Sequence, residues 1–115
     1  MTELFAFKIL TRPQYEQFRA DGLFRGAPVD IADGYIHLST RDQAAETAAK
    51  HFAGQDDLVM LMIDLAAYGD VIKWEESRGG ALFPHLYGDL TMPSVAGKVV
   101  LRIGDDGLHQ FPAGF

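Results

Sequence analysis

The residues best suited to chemistry are concentrated in one stretch of sixteen residues, 74–89. It combines an indole, carboxylates, a guanidinium, an imidazole and a phenol with two adjacent glycines, which allow the backbone to turn or to approach a ligand. Pro84 fixes the backbone just before His85 and so restricts the direction of the imidazole. This composition predicts the wall of a ligand pocket; the alternative is two strands joined by a polar turn, with the aromatic rings in the core. The side chains concerned are Trp74, Glu75, Glu76, Arg78, His85 and Tyr87.

A second group of polar side chains follows a turn signal at 33–34. The sequence alternates there, so that Tyr35, His37 and Ser39 share one face of a short strand. Three hydrogen-bonding groups on one face suit a polar ligand, although a strand that faces solvent would show the same pattern. We predict that this strand faces the stretch 74–89 across a cleft, where a polar ligand is hydrogen-bonded and its ring is stacked.

Several familiar kinds of site find no support in the sequence. The chain has no cysteine, which excludes disulfides, thiolate metal sites and cysteine nucleophiles. Its four histidines lack the spacing of a metal-binding helix, so no metal site is expected, and no serine lies in a G-x-S-x-G setting. Phosphate-binding loops of the usual types are missing as well. Arg78 and the glycines at 79–80 still offer a guanidinium and two amides, which suit a phosphate or a carboxylate.

The composition fits a single domain over residues 1–115, since 48% hydrophobic residues are enough for one core. A net charge of −6 argues against a broad nucleic-acid surface, and a small-molecule ligand is the expected partner. The longest apolar run, 58–63, is too short to cross a membrane, and the first residues lack the pattern of a signal peptide. The expected location is therefore the cytoplasm.

Hydrophobic periodicity and capping signals predict an α+β fold with two helices and a twisted, mostly antiparallel sheet. The helices are expected at 13–21 and at 41–52, where Thr40 and Gln43 match a capping box. The apolar run 57–65 predicts a central strand buried on both faces. The remaining elements are expected to be strands at 4–10, 35–39, 71–75, 97–103 and 108–111, with a loop or a short irregular strand over 23–33.

Two basic side chains within strands have expected positions. Lys8 is the one charge in the first strand, and it is expected to face solvent, with contact to a ligand as the alternative. His109 alternates with Leu108 near the end of the chain, and it is also expected to face solvent.

Short motifs along nearly the whole chain together carry a family resemblance. They are the segments 33–40, 57–59, 63–64 and 82–88, together with Gln43, His51 with Phe52, and Trp74 with Glu75. In these motifs the chain resembles the DUF952 family of small bacterial and plant proteins. The resemblance implies an architecture similar to that of ADP-ribosyltransferases, in which a split, twisted antiparallel sheet forms a cleft that holds NAD.

The resemblance also implies roles for individual residues. In those transferases a histidine or arginine on an early strand holds a ribose, aromatic rings sandwich the nicotinamide, and a late glutamate orients the acceptor or the ribose. Family members carry a histidine on the first strand where this chain has Lys8, and an ammonium group cannot replace the donor and acceptor pair of a neutral imidazole. From the residue types and the resemblance together, we predict catalytic roles for His37, Glu75 and His85, and ligand contacts for Lys8, Ser39, Trp74, Arg78 and Tyr87.

Three functions remain open at the level of the sequence. The first is a transferase-like domain that binds NAD, ADP-ribose or another phosphorylated nucleotide-like ligand, and transfers or hydrolyses ADP-ribose. The second is a non-enzymatic module that binds a metabolite or a protein on a degenerate transferase scaffold. The third is an architectural role, in which His37 and His85 bond loop carbonyls and hold the cleft shut.

Overall fold

The computed structural model describes residues 3–115, apart from the side chain of Arg78. Three α-helices and nine strands form within this range. The helices are α1 (Arg12–Asp21), α2 (Pro28–Asp33) and α3 (Arg41–His51). The strands are β1 (Phe5–Leu10), β2 (Leu23–Phe24), β3 (Ile36–His37), β4 (Leu58–Asp64), β5 (Ile72–Glu76), β6 (Leu82–Leu86), β7 (Leu90–Thr91), β8 (Val95–Ile103) and β9 (His109–Gln110).

The largest sheet has the order β1-β4-β8-β9, and all of its neighbours are antiparallel. The apolar strand β4 lies between β1 and β8 and separates two clusters of buried side chains. Leu61 belongs to the cluster that Phe18 of α1 joins, and Met60 belongs to the one that Ala48 of α3 joins. The prediction of a central strand buried on both faces is thus confirmed.

A smaller antiparallel sheet with the order β3-β6-β5 carries the predicted pocket wall. Ile36 of β3 and Leu86 of β6 are paired and buried in the same core cluster, which anchors one face of this sheet. The chain that follows β3 then bridges to the large sheet through Ser39 and Phe7. Because residues alternate along a strand, the face opposite Leu86 presents the polar side chains of the candidate site.

The α+β class and the mostly antiparallel pairing are confirmed, but the prediction of two helices is wrong. The segment 23–33, predicted to be a loop or a short irregular strand, contains the two-residue strand β2 and also the third helix, α2, which was not predicted. Six residues are too few to show helical periodicity, so α2 is defined by its ends. It begins at Pro28, where the fixed φ of proline suits the first turn, and it ends before Gly34, whose φ is 88°.

The prediction for His109 is also wrong. Its ring is buried, and Nε2 lies 2.8 Å from the carbonyl oxygen of Gln55. This contact joins segments that are 54 residues apart, so local alternation could not reveal it. No helix in the described range is both long and apolar enough to span a membrane.

Candidate functional site

His37 and His85 lie opposite each other on β3 and β6. Their ring centroids are 5.6 Å apart with the planes at 69°. The two segments therefore meet as predicted, but they do so as neighbouring strands of one sheet and not as opposite walls of a cleft. We use the term histidine face for these two residues together with Tyr35, Glu75 and Tyr87, whose side chains contact them.

The carboxylate of Glu75 joins two members of the histidine face. Its Oε1 accepts hydrogen bonds from His85 Nδ1 and from the Tyr87 hydroxyl, each at 2.8 Å. These two bonds lower the pKa of Glu75, and donation to that carboxylate raises the pKa of Tyr87. An ionised carboxylate can only accept, so the ring proton of a neutral His85 lies on Nδ1 and the lone pair lies on Nε2.

That second nitrogen of His85 has an unusual environment. The ring is 1% exposed and is stacked beneath Tyr35, with centroids 4.1 Å apart and planes at 25°. Within the described part of the chain, Nε2 is the one buried side-chain nitrogen or oxygen without a hydrogen-bond partner. Leaving such an atom unpaired costs about 1–3 kcal/mol, so it marks a position where the fold is not optimised for stability alone.

His37 is held from both sides of its ring. Nδ1 lies 2.6 Å from Oδ1 of Asp30, and Nε2 lies 2.9 Å from Oδ2 of Asp33. Both contacts are hydrogen bonds only when both nitrogens carry protons, because ionised carboxylates do not donate. Both ring nitrogens of His37 thus have a carboxylate partner, whereas Nε2 of His85 has no partner in the described structure.

Lys8 and Asp30 form a buried ion pair beneath His37. The ammonium nitrogen lies 3.0 and 3.2 Å from the two carboxylate oxygens, and it donates to the carbonyl oxygen of His37 at 3.1 Å. Burial lowers the pKa of Lys8, and the charge and hydrogen bond of Asp30 oppose this change. The prediction that Lys8 faces solvent is therefore wrong. Its partner lies 22 residues away in α2, a helix that was not predicted, and no local pattern pointed to it.

With this geometry established, comparisons with known proteins identify the family. The model of a family described as protein of unknown function (DUF952) matches residues 9–98. The chain belongs to the DUF952 family. The crystal structure of protein CC0527 from Caulobacter crescentus is 47% identical to this DUF952 chain, with a TM-score of 0.88, and the alignment covers 92% of this chain and 93% of that one.

A second structure of the same relative agrees with the first. The solution NMR structure of CC0527 is 46% identical, has a TM-score of 0.84, and matches 94% of this DUF952 chain and 93% of that one. No curated protein matches the chain. The range matched by the family model contains every member of the histidine face, and Lys8 precedes it.

Three other predicted site residues of this DUF952 chain lie outside the histidine face or the described structure. The Ser39 hydroxyl lies 2.8 Å from that of Thr47 on α3, so it tethers a helix. Trp74 alternates with Glu75 along β5 and lies on the opposite face of the strand. The side chain of Arg78 is outside the described part of the structure, so its contact with phosphate stays a prediction.

Three residues in or next to the histidine face were not predicted as site residues. Tyr35 was placed on the correct strand face, but its stacking on His85 depends on the pairing of β3 with β6. Asp33 precedes His37 by four residues across a turn, which is a weak local signal, and Asp30 gave no signal at all.

The architectural alternative is wrong in its chemistry, because the two imidazoles bond carboxylates and not loop carbonyls. Among the residues described, no group of three or more His, Cys, Asp or Glu side chains is arranged so that it could hold a metal ion.

The stability of this DUF952 domain depends on pH through Asp30. Burial acts to raise its pKa, but hydrogen bonds from His37, the charge of Lys8 and the amide of Ala27 outweigh this and lower the pKa to about 2 from 3.8. A lowered carboxyl pKa stabilises the fold above the unfolded value and loses that contribution as pH falls through the folded value. We expect a loss of about 2 kcal/mol between pH 4 and pH 2 from this group.

Urea unfolding at a series of pH values measures this loss. Other carboxylates also titrate in the same range, so the control is Asp30→Asn, which keeps the shape of the side chain and removes its titration. The difference in unfolding free energy between the two proteins should shrink as pH falls from 4 to 2. A difference that stays constant over that range would contradict the assignment.

Proposed function

We propose that this domain binds a small nucleotide-like ligand, such as NAD, ADP-ribose or another phosphorylated ribonucleotide, on the histidine face. The observation that carries the proposal is the buried Nε2 of His85, which has no partner within the described residues while Glu75 holds the other ring nitrogen at 2.8 Å. A carboxylate that fixes the tautomer and direction of an imidazole is the arrangement of a general base. We infer that His85 exchanges a proton with the ligand and that Glu75 positions it.

The chemistry of the surrounding side chains supports this class of ligand. Tyr35 and Tyr87 have ring centroids 5.2 Å apart and offer aromatic surface to a base or a nicotinamide. The carboxylates of Asp33 and Glu75 are acceptors for ribose hydroxyls. Lys73 pairs with His85 across β5 and β6 and supplies an exposed cation for a phosphate.

The transferase-like cleft implied by the family resemblance is part of this proposal. It is supported by two antiparallel sheets that bridge at Phe7 and Ser39, next to the histidine face. In transfer or hydrolysis of ADP-ribose, an acceptor hydroxyl or water gives its proton to His85, its oxygen bonds to the ribose carbon, and the bond from that carbon to nicotinamide breaks. Tyr35 covers His85 at 4.1 Å, so this step requires Tyr35 to move aside.

Calorimetry with NAD, ADP-ribose and a 2′-phosphorylated ribonucleotide tests binding. We expect His85→Ala and Glu75→Gln to weaken binding about tenfold or more, because the first removes the hydrogen bond to the ligand and the second replaces the ionised acceptor behind His85 by a neutral amide. Trp74→Ala is the matched control, since that ring lies on the opposite face of β5 and its loss should leave the affinity unchanged. Absence of binding at millimolar ligand, or equal affinity in the His85 variant, would contradict the proposal.

A second candidate function, a non-enzymatic metabolite-binding module, is favoured by the burial of His85. An enzyme that uses His85 as its general base must move Tyr35 aside in every turnover, because His85 is only 1% exposed. A binding module needs this movement only once for each ligand that it binds. Release of free nicotinamide from NAD separates the two functions. Binding without release supports the module, and release that is lost in Glu75→Gln supports the enzyme.

A further inference from the structure

A groove that shares no lining residue with the histidine face has a quite different composition. It has a volume of about 210 Å³ and lies on the large sheet beside α3. Its walls are formed mainly by Phe7, Met60, Met62, Val99 and Phe115. Such pockets usually exceed about 300 Å³ for drug-sized ligands, so this one suits a molecule with a single ring or a short aliphatic chain.

Arg41, the first residue of α3, supplies the positive charge of this groove. Its guanidinium carbon lies 5.2 Å from the centre of the Phe7 ring and 4.8 Å from that of Phe115. Lys98 also borders the groove, but its ammonium group donates to the Tyr15 hydroxyl at 3.0 Å and is therefore engaged elsewhere. Of the two charged side chains that line the groove, Arg41 is thus the one without a polar partner in the described part of the chain.

Arg41 differs from the other described arginines, because no carboxylate of the described residues forms an ion pair with it. Every other arginine whose side chain the structure describes lies within 4.0 Å of a carboxylate. Arg41 has no such partner in the described structure, and its guanidinium retains its donors for a ligand. The paired arginines are Arg12, Arg19, Arg25 and Arg102.

We propose that this groove binds a small amphiphilic carboxylate. Its apolar part lies against the two methionines and Phe115, and its carboxylate pairs with Arg41. Methionine side chains adapt to ligands of irregular shape, and a guanidinium matches a carboxylate with two parallel hydrogen bonds. This site is separate from the histidine face, so it stands or falls independently of the proposed nucleotide-like ligand.

Two substitutions probe the groove in different ways. Arg41→Gln removes the charge and leaves the apolar walls. Gly97→Val fills the space, since a Cβ at Gly97 would meet only Met62 Cε, at an ordinary contact distance of 3.7 Å. Arg19→Gln is the control, because it removes a charge of the same kind from the exposed surface of α1.

Octanoate is the probe, with octanol as its neutral counterpart, and binding is followed by NMR of the methionine methyl groups. We expect saturable shifts at Met60 and Met62 and none at Met92, which packs in the other cluster. Arg41→Gln and Gly97→Val should each weaken octanoate binding about tenfold or more, while Arg19→Gln leaves it unchanged. Thermal unfolding of each variant verifies that it is folded.

Two results would overturn the proposal. One is the absence of saturable shifts at Met60 and Met62 with millimolar octanoate. The other is equal binding of octanol and octanoate, with no effect of Arg41→Gln, which would reduce the groove to a non-selective apolar surface. Neither result bears on NAD or ADP-ribose, whose binding is measured separately with the His85 and Glu75 variants.

Discussion

Replacing Asp30 by alanine is expected to lower the free energy of unfolding by about 3–5 kcal/mol, the largest effect of any single substitution considered for this domain. The Asp30 side chain is fully buried, and its carboxylate accepts from Lys8 Nζ, from the backbone amides of Ala27 and His37, and from His37 Nδ1. Alanine removes all of these bonds and leaves the ammonium group of Lys8 buried without its counter-ion. Urea unfolding at pH 7 measures the change.

The double variant Lys8→Met/Asp30→Leu provides the control for this prediction. Replacing both charges by apolar groups removes the unpaired ammonium, so the double variant should be more stable than Asp30→Ala alone. It should not regain the full stability, because the amides of Ala27 and His37 still lose their acceptor. A loss below about 1 kcal/mol in Asp30→Ala, or a double variant less stable than that single one, would contradict this account.

Gly26→Ala is expected to cost about 3 kcal/mol, because it combines backbone strain with a steric clash. The φ of Gly26 is 129°, a backbone angle that residues other than glycine rarely adopt. A Cβ at this position would also lie 2.8 Å from Cβ of Asp30, which is closer than real contacts allow. The substitution therefore displaces the start of α2 and the carboxylate that holds His37 and Lys8.

Gly34→Ala is the matched control, because it separates the strain from the clash. Gly34 has a φ of 88°, but a Cβ there would have no atom within 4 Å. Its replacement should cost only about 1 kcal/mol, from backbone strain alone. Equal losses in the two variants, measured by urea unfolding, would show that contact with Asp30 is not the cause.

The buried ion pair of Lys8 and Asp30 is connected to the histidine face by hydrogen bonds. Asp30 joins them, since one of its oxygens accepts from both the backbone amide and the ring of His37. A change at Asp30 therefore affects the position of His37 as well as the stability of the core. Ligand affinity in variants of Asp30 should be compared only where unfolding measurements show that the domain is folded.

The sequence alone was enough to predict the elements that depend on local patterns. The continuous apolar run predicted that β4 is a central strand, because a strand with no polar face must be buried on both sides. The helix α3 begins after Thr40, whose amide donates to the side chain of Gln43 at 3.0 Å, as the capping box predicted. The sequence also predicted that the segments of His37 and His85 come together, but across a cleft; the structure places them side by side in one sheet.

The tertiary structure alone decided which of those side chains are available to a ligand. Lys8 and Ser39 have polar types that suit a site, but partners 22 and 8 residues away keep them inside the protein. Trp74 is separated from Glu75 by the alternation of β5, and His85 is covered by Tyr35 only because β3 pairs with β6. Residue types and spacing record what a side chain can do. Its burial and partners depend on contacts between distant segments, which local patterns do not encode.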